Sequence, residues 1–181
     1  MRIISGTRKG KRLQAPPTLS LRPTTDFAKE ALFNILVNDF YFEECTVLDL
    51  FAGTGNISYE FASRGASDIL SIDNNEDCIK YIIQTASQLE FHRLKTMKAD
   101  ALQFLNNTKN TWDIIFADPP FSFENTTQVP LLVFNNKLLR PGGKLIVEHP
   151  SHLSFSDHPH LFDFRKYGSV CFSIFSENPV G

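Results

Sequence analysis

Two apolar, strand-like runs, Thr46–Phe51 and Trp112–Ala117, each stop at a turn carrying an acid and a chain breaker. The first closes in Asp49-Leu50-Phe51-Ala52-Gly53-Thr54-Gly55, and about 65 residues later the second closes in Asp118-Pro119-Pro120-Phe121. Strand and helix signals alternate around them. Strands separated by helices must run parallel in one sheet, with helices on its faces. In such a sheet ligands bind beyond the carboxyl ends of the strands, near the point where the strand order switches. The two turns therefore say where a site lies before any residue is given a role.

The other periodicities fill in this scheme. Arg2–Ser5 and Lys11–Gln14 read as a short hairpin across Gly6 and Gly10. Pro16, Pro17 and Pro23 break the chain. Thr24 or Thr25 then caps a helix running to about Asn38, with Phe27, Ala28, Ala31, Leu32 and Ile35 near helical spacing on one face. Further strands are expected at Asp68–Asp73, Leu94–Ala99 and Lys144–Glu148, the last entered through the turn Pro141-Gly142-Gly143. Helices are expected at Asn56–Arg64, Glu76–Leu89, Ala101–Asn106 and Val129–Leu139. Leu161–Lys166 and Ser169–Phe175 are joined around Tyr167-Gly168, too short a link for a crossover, so they form an antiparallel hairpin. The fold class is α/β: a doubly wound, seven-stranded mixed sheet with an antiparallel intruder near one edge.

With 181 residues, 42% of them hydrophobic, the chain suits one domain with a real core. It has no apolar run of ~18 residues that would span a membrane, and Met1–Gly6 lacks the apolar centre of a secretory signal. Cys45, Cys78 and Cys171 are odd in number and widely spaced, which fits neither a disulfide framework nor a zinc site. A cytoplasmic protein with reduced thiols is expected.

The net charge of −2 hides an asymmetry. Residues 1–25 carry Arg2, Arg8, Lys9, Lys11, Arg12 and Arg22 and no acid, while the remainder is acidic by eight charges. A basic arm on an acidic body points to a polyanion held at one end. The bland alternative is a solvated hairpin tip.

Gly53 and Gly55 allow a tight turn and close backbone approach to a ligand. Ser58 stands where a dinucleotide fingerprint would place its third glycine. Asp73, ending the next strand about 20 residues after Gly53, is placed to accept from two ribose hydroxyls. Asp100 ends the third strand and can accept from an adenine amino group, or simply cap the helix that starts at Ala101. Asp49 can face a positive methionine end. Phe51, Asn74 and Ala101 flank these acids and complete the cofactor candidates on the glycine side. Those acids suit an adenosyl cofactor.

Asp118-Pro119-Pro120-Phe121 suits chemistry on a conjugated amine. The lone pair of a nucleobase amine is drawn into the ring, and acceptors aimed at its N–H groups localise it. Asp118 supplies one acceptor and the Pro119 carbonyl another, because two prolines stiffen the turn and remove competing donors. Phe121 can stack on an extruded base. With a sulfonium leaving group, geometry and electrostatics suffice without a metal.

The run Arg22-Pro23-Thr24-Thr25-Asp26, followed by Glu30-Ala31-Leu32-Phe33-Asn34-Ile35-Leu36, resembles the N-terminal signature of the RsmD-type 16S rRNA guanine-N2 methyltransferases. So do Arg2–Gly6, Asp49–Gly55, Ser63-Arg64-Gly65-Ala66 and Asp118–Phe121. The resemblance covers nearly the whole chain. It implies a class I methyltransferase fold, with a basic arm over 1–25 and a catalytic domain over 26–181. It also implies S-adenosylmethionine as donor, S-adenosylhomocysteine as product, and guanine 966 of 16S rRNA in the 30S particle as acceptor. The segment at Thr24 and Thr25 would close over the methionine part of the cofactor. Arg8, Lys9, Lys11, Arg12 and Arg22 would contact RNA, with the enzyme a monomer. Phe121 departs from the family's more usual tyrosine. The Asp-Pro-Pro turn alone is shared with adenine- and glutamine-modifying methyltransferases, and a non-catalytic RNA-binding assembly factor is the alternative of another class.

His149, His152, His158 and His160 could be imagined as a metal cluster, but proline flanks His149, His158 and His160, and no cysteine or paired acid joins them at a familiar spacing. They read as a polar surface loop with no metal. Trp112 reads as core, and Asn125-Thr126-Thr127 as a loop and helix cap.

Overall fold

A computed structural model describes residues 1–19 and 24–177. Arg22 and Pro23 lie outside the described residues. Seven strands form one sheet: β1 (Thr46–Leu50), β2 (Asp68–Asp73), β3 (Leu94–Lys98), β4 (Trp112–Ala117), β5 (Leu139–Pro150), β6 (Leu161–Tyr167) and β7 (Val170–Ser176). Five helices connect or flank them: α1 (Asp26–Leu36), α2 (Asn56–Ser63), α3 (Glu76–Gln88), α4 (Ala101–Asn107) and α5 (Gln128–Asn135). The order across the sheet is β3-β2-β1-β4-β5-β7-β6. The first five run parallel, and β7 inserts antiparallel between β5 and β6. This is the mixed sheet with an antiparallel intruder that the connection lengths require.

The central strands are buried on both faces of the sheet, and their alternate residues feed opposite cores. Val47, Ile69, Ile114, Phe116 and Ile146 pack with α1, α2 and α3, whereas Leu48, Leu50, Ile115, Ala117 and Val147 pack with α4 and α5. Trp112 lies in the second core. Among the described residues, no helix is long and apolar enough to cross a membrane.

Four local expectations need correction. α1 starts where expected, with the Thr25 hydroxyl accepting from the Ala28 N–H. Its buried face, however, is Ala28, Lys29, Leu32, Phe33 and Leu36, and Phe27 is 71% exposed. A buried lysine in the stripe misled the periodicity. The last helix stops at Asn135, because Lys137 takes a left-handed φ of 54° and Leu138 and Leu139 turn into the sheet. Pro141-Gly142-Gly143 does not precede the fifth strand; Leu139 already pairs with Trp112, and the three residues fill an irregularity before Lys144 meets Ile114. His149 is fully buried within β5, its Nε2 2.8 Å from Ser173 Oγ, so it belongs to the core and not to a surface loop; burial lowers its pKa. His158 and His160 pack against the Phe134 ring.

The basic hairpin is a single antiparallel bridge, Arg2 to Arg12. It is clamped to α2: the N–H groups of Ile4 and Ser5 donate to Glu60, and the Ser63 hydroxyl donates to the Ser5 carbonyl. Gly6, at φ 81°, admits no side chain, since a Cβ would sit 1.9 Å from the Ser63 carbonyl oxygen. Under the bridge, Lys29 donates to the Arg2 carbonyl at 2.7 Å and to Asn56 Oδ1 at 2.8 Å, with Glu60 3.5 Å away. Burial lowers the Lys29 pKa and Glu60 opposes it. Three acceptors for three ammonium protons make this buried charge tolerable.

Candidate active site

The strand order lays the site out as a row. β3, β2, β1, β4 and β5 lie side by side and parallel, so their carboxyl ends form one rim. Each brings an acid to it: Asp100 just after β3, Asp73 closing β2, Asp49 near the end of β1, Asp118 just after β4, and Glu148 toward the end of β5. All five line one cavity of about 460 Å³. A rim of acceptors above apolar walls (Phe51, Ile57, Ile72, Phe116) suits a flat, donor-rich, positively charged guest.

On the β3–β2 side, Asp73 Oδ2 accepts the Gly53 N–H and its Oδ1 the Asn75 N–H, both at 2.8 Å. These bonds hold the carboxylate across the mouth of the glycine turn, and each oxygen keeps a further acceptor position. Asp100 caps α4, accepting from the Gln103 N–H at 2.8 Å, and also lines the cavity. Asn74 and Ala101 line the same side. Gly53 lines the cavity; Gly55 is not part of the lining. At φ 80° Gly55 starts α2, where a Cβ would meet the Tyr59 ring at 2.7 Å, so its glycine serves packing.

At the centre, Asp49 is 2% exposed and accepts from the Ser58 hydroxyl, which also contacts Ser71. Burial pushes the Asp49 carboxyl up to about 7, against the Ser58 hydrogen bonds that lower it. Ser58, which excluded a dinucleotide fingerprint, thus has a task of its own.

On the β4–β5 side stand Asp118, Pro119, Pro120 and Phe121, all lining the cavity. The Asp118 N–H reaches the Leu50 carbonyl at 3.4 Å, tying this turn to the end of β1, and the Pro120 carbonyl accepts from the Phe123 N–H at 2.7 Å. Phe121 is 42% exposed, a ring face at the mouth. Phe51 and Phe123 meet edge to face with centroids 5.2 Å apart.

Two residues on this side escaped sequence reading in part or whole. Glu148 looked like an ordinary strand residue, yet it is 3% exposed and its Oε2 accepts from the Thr24 hydroxyl at 2.6 Å. Asn56 lines the cavity and donates to the Thr24 carbonyl at 3.1 Å. Of the two expected threonines, Thr24 lines the cavity and Thr25 serves as the cap of α1. In the arm, Lys9, Lys11 and Arg12 are exposed, whereas Arg8 donates to the Leu89 carbonyl at 3.0 Å and pairs with Glu90. Among the described residues, no group of three or more His, Cys, Asp or Glu is arranged to hold a metal ion.

The sheet order and the glycine turn beneath a row of acids define a class I methyltransferase fold of the S-adenosylmethionine-dependent type. The chain belongs to the RsmD family, described as "Conserved hypothetical protein 95", which it matches over residues 1–176. It is 32% identical over 152 residues to the ribosomal RNA small subunit methyltransferase D of Haemophilus influenzae, covering 82% of this chain and 78% of that one. The solved structure of yhhF from Escherichia coli superposes with a TM-score of 0.83 at 28% identity, covering 97% and 96% of the two chains. SMU.776, solved complexed with SAH, superposes at 0.65 with 17% identity over 82% of this chain and 49% of its own, a likeness of fold alone.

Proposed function

We propose that this chain methylates the exocyclic N2 amine of a guanine in 16S rRNA, with S-adenosylmethionine as donor and guanine 966 of the 30S particle as target. One observation carries the reading: the Gly53–Asp73 side and the Asp118–Phe121 turn open into the same cavity. The relative's name supports rRNA as the acceptor class.

The cofactor, when bound, supplies a methyl group made electrophilic by a positive sulfur. Asp73 accepts the ribose hydroxyls, Asp100 the adenine amine, and Asn74 and Ala101 bound that end. Asp49, with Gly53 and Thr24 around it, faces the positive methionine end. Asp118 and the Pro119 carbonyl accept the two amine N–H groups, which localises the nitrogen lone pair and aims it toward the β1 end of the rim. Phe121 stacks on the extruded base and holds its plane. The stiff Pro-Pro turn keeps the acceptors in place, so little reorganisation is left for the reaction itself. Residues 26–181 form this catalytic domain, and the basic arm holds the RNA backbone through Lys9, Lys11 and Arg12, with Arg8 and Arg22 as further contacts. The enzyme acts in the cytoplasm as a monomer, without a metal.

Mapping methylated guanines on small-subunit rRNA from cells with and without the gene tests this reading. Loss of one N2-methylguanine on deletion is expected. An rRNA with unchanged guanines, or a lost methyladenine, would overturn it. Titration with S-adenosylmethionine and with NAD checks the cofactor separately.

A further inference from the structure

The acceptor side of the rim carries a second carboxylate that the transfer chemistry does not use. We propose that Glu148 reads the target base, accepting the N1–H of the guanine whose neighbouring N2 amine faces Asp118. The inference rests on the guanine reading above and deepens it.

Ala117 pairs with Val147 in the parallel ladder between β4 and β5. Asp118 follows β4 directly and Glu148 lies in β5, each one residue beyond that pair, and both line the cavity. Neighbouring strands lie about 4.8 Å apart, so the two positions sit side by side on the rim. Guanine offers N1–H and the N2 amine side by side on one edge. Thr24 takes one of the roughly four acceptor positions of Glu148 and fixes its orientation. Thr24 is itself held by Asn56, which accepts from the buried Lys29. Glu148 is therefore a positioned acceptor with a rigid backing. Adenine in the same place would turn the N1 lone pair toward Glu148, setting two acceptors face to face. A site built to hydrogen-bond an N–H rejects the analogue that lacks it. The Asp-Pro-Pro turn handles the amine, and Glu148 selects the purine that carries it.

The test uses an rRNA substrate in which the mapped target guanine is replaced by 2-aminopurine, which keeps the amine but presents an acceptor at N1. The readout is the ratio of kcat/KM for guanine over 2-aminopurine, in the unaltered protein and in Glu148→Gln. Because 2-aminopurine also lacks O6, only the change in the ratio counts. The glutamine amide can turn its N–H toward an N1 acceptor, so the ratio should narrow by about 10-fold or more, the worth of one charge-assisted hydrogen bond. An equal ratio in both proteins would overturn the assignment and leave Glu148 as a tether for Thr24. If Glu148→Gln fails to bind S-adenosylhomocysteine as a folding control, Thr24→Val and Thr24→Ser take its place. The valine variant should narrow the ratio and the serine variant restore it; equal ratios there would defeat the proposal equally. A protein that methylates no guanine sinks the functional reading, whereas guanine methylation with an unmoved ratio defeats Glu148 alone.

Discussion

The two halves of the rim hold their acids in different ways. On the β3–β2 side, Asp73 and Asp100 are fixed by backbone N–H groups close by in sequence or one strand away: Gly53, Asn75 and Gln103. On the β4–β5 side, Glu148 is fixed by Thr24, 124 residues earlier, and Thr24 is fixed in turn by α2 and the buried Lys29 of α1. The first half is a set of strand ends and helix caps that forms wherever the sheet forms. The second exists only once the entry to α1 has docked across the sheet. On the proposed assignment, the cofactor side is built from local parts, and the acceptor side from tertiary contacts.

The sharpest break of this comparison is Asp118→Ala. Removing one strong transition-state acceptor should cost about 100-fold or more in turnover and leave S-adenosylmethionine affinity unchanged by calorimetry. Near-normal methylation would exclude the proposed mechanism.

Asp73→Ala should do the reverse. It removes acceptors for the ribose hydroxyls and weakens cofactor binding by about 1.5–3 kcal/mol, with turnover at saturating cofactor largely kept. Because Asp73 also orders the Gly53 turn, the loss should fall toward the upper end of that range. Unchanged affinity in a folded Asp73→Ala would move the ribose to another acid and dissolve the division into halves.

The arm offers a third and smaller test. Arg8 is engaged with Leu89 and Glu90 and Arg2 with Asp26, so the exposed charges around Gly10 are Lys9, Lys11 and Arg12. Replacing those three with Ala should reduce the salt slope of RNA binding by about 2, at about 0.7 per phosphate contact on single-stranded nucleic acid. Cofactor affinity should stay the same. An unmoved slope would make the arm a structural strap on α2 and nothing more.

How much could be read beforehand follows the same divide. Strand ends, glycine turns and caps are local signals, so Asp73, Asp100 and the Asp118–Phe121 turn were legible, as were β2 and β4 to the residue. The buried face of α1 was misjudged because Lys29 occupies a core position that only Glu60, Asn56 and the Arg2 carbonyl make habitable. Those partners come from distant segments and leave no periodic trace. Glu148 was missed for a related reason: inside Lys144–Glu148 an acid reads as a strand end, and nothing nearby in sequence announces Thr24. His149 was misread because a histidine between an acid and a proline looks exposed, whereas Ser173 on β7 gives it a buried partner.

Asp49 stands where the two halves meet, and its titration gives the smallest expected effect. Burial holds its folded pKa at about 7 against 3.8 for a free carboxyl. The folded state thus grips the proton more tightly than the unfolded one. The stability this contributes is present below about 3.8 and is lost as pH rises toward about 7. Cofactor binding should run the other way, because a sulfonium favours the ionised form. Affinity for S-adenosylmethionine should rise with pH through about 7 and flatten above it, by up to about 10-fold between roughly pH 6 and 8 if only ionised Asp49 binds well. S-adenosylhomocysteine keeps the ammonium of the methionine end but has no positive sulfur, so its affinity should rise less steeply, and the ratio of the two reports the share due to the sulfur. Asp49→Asn should remove the slope. If the affinities for both ligands are flat in the unaltered protein, Asp49 does not face the positive methionine end, and its buried charge serves only Ser58 and the packing beneath the rim.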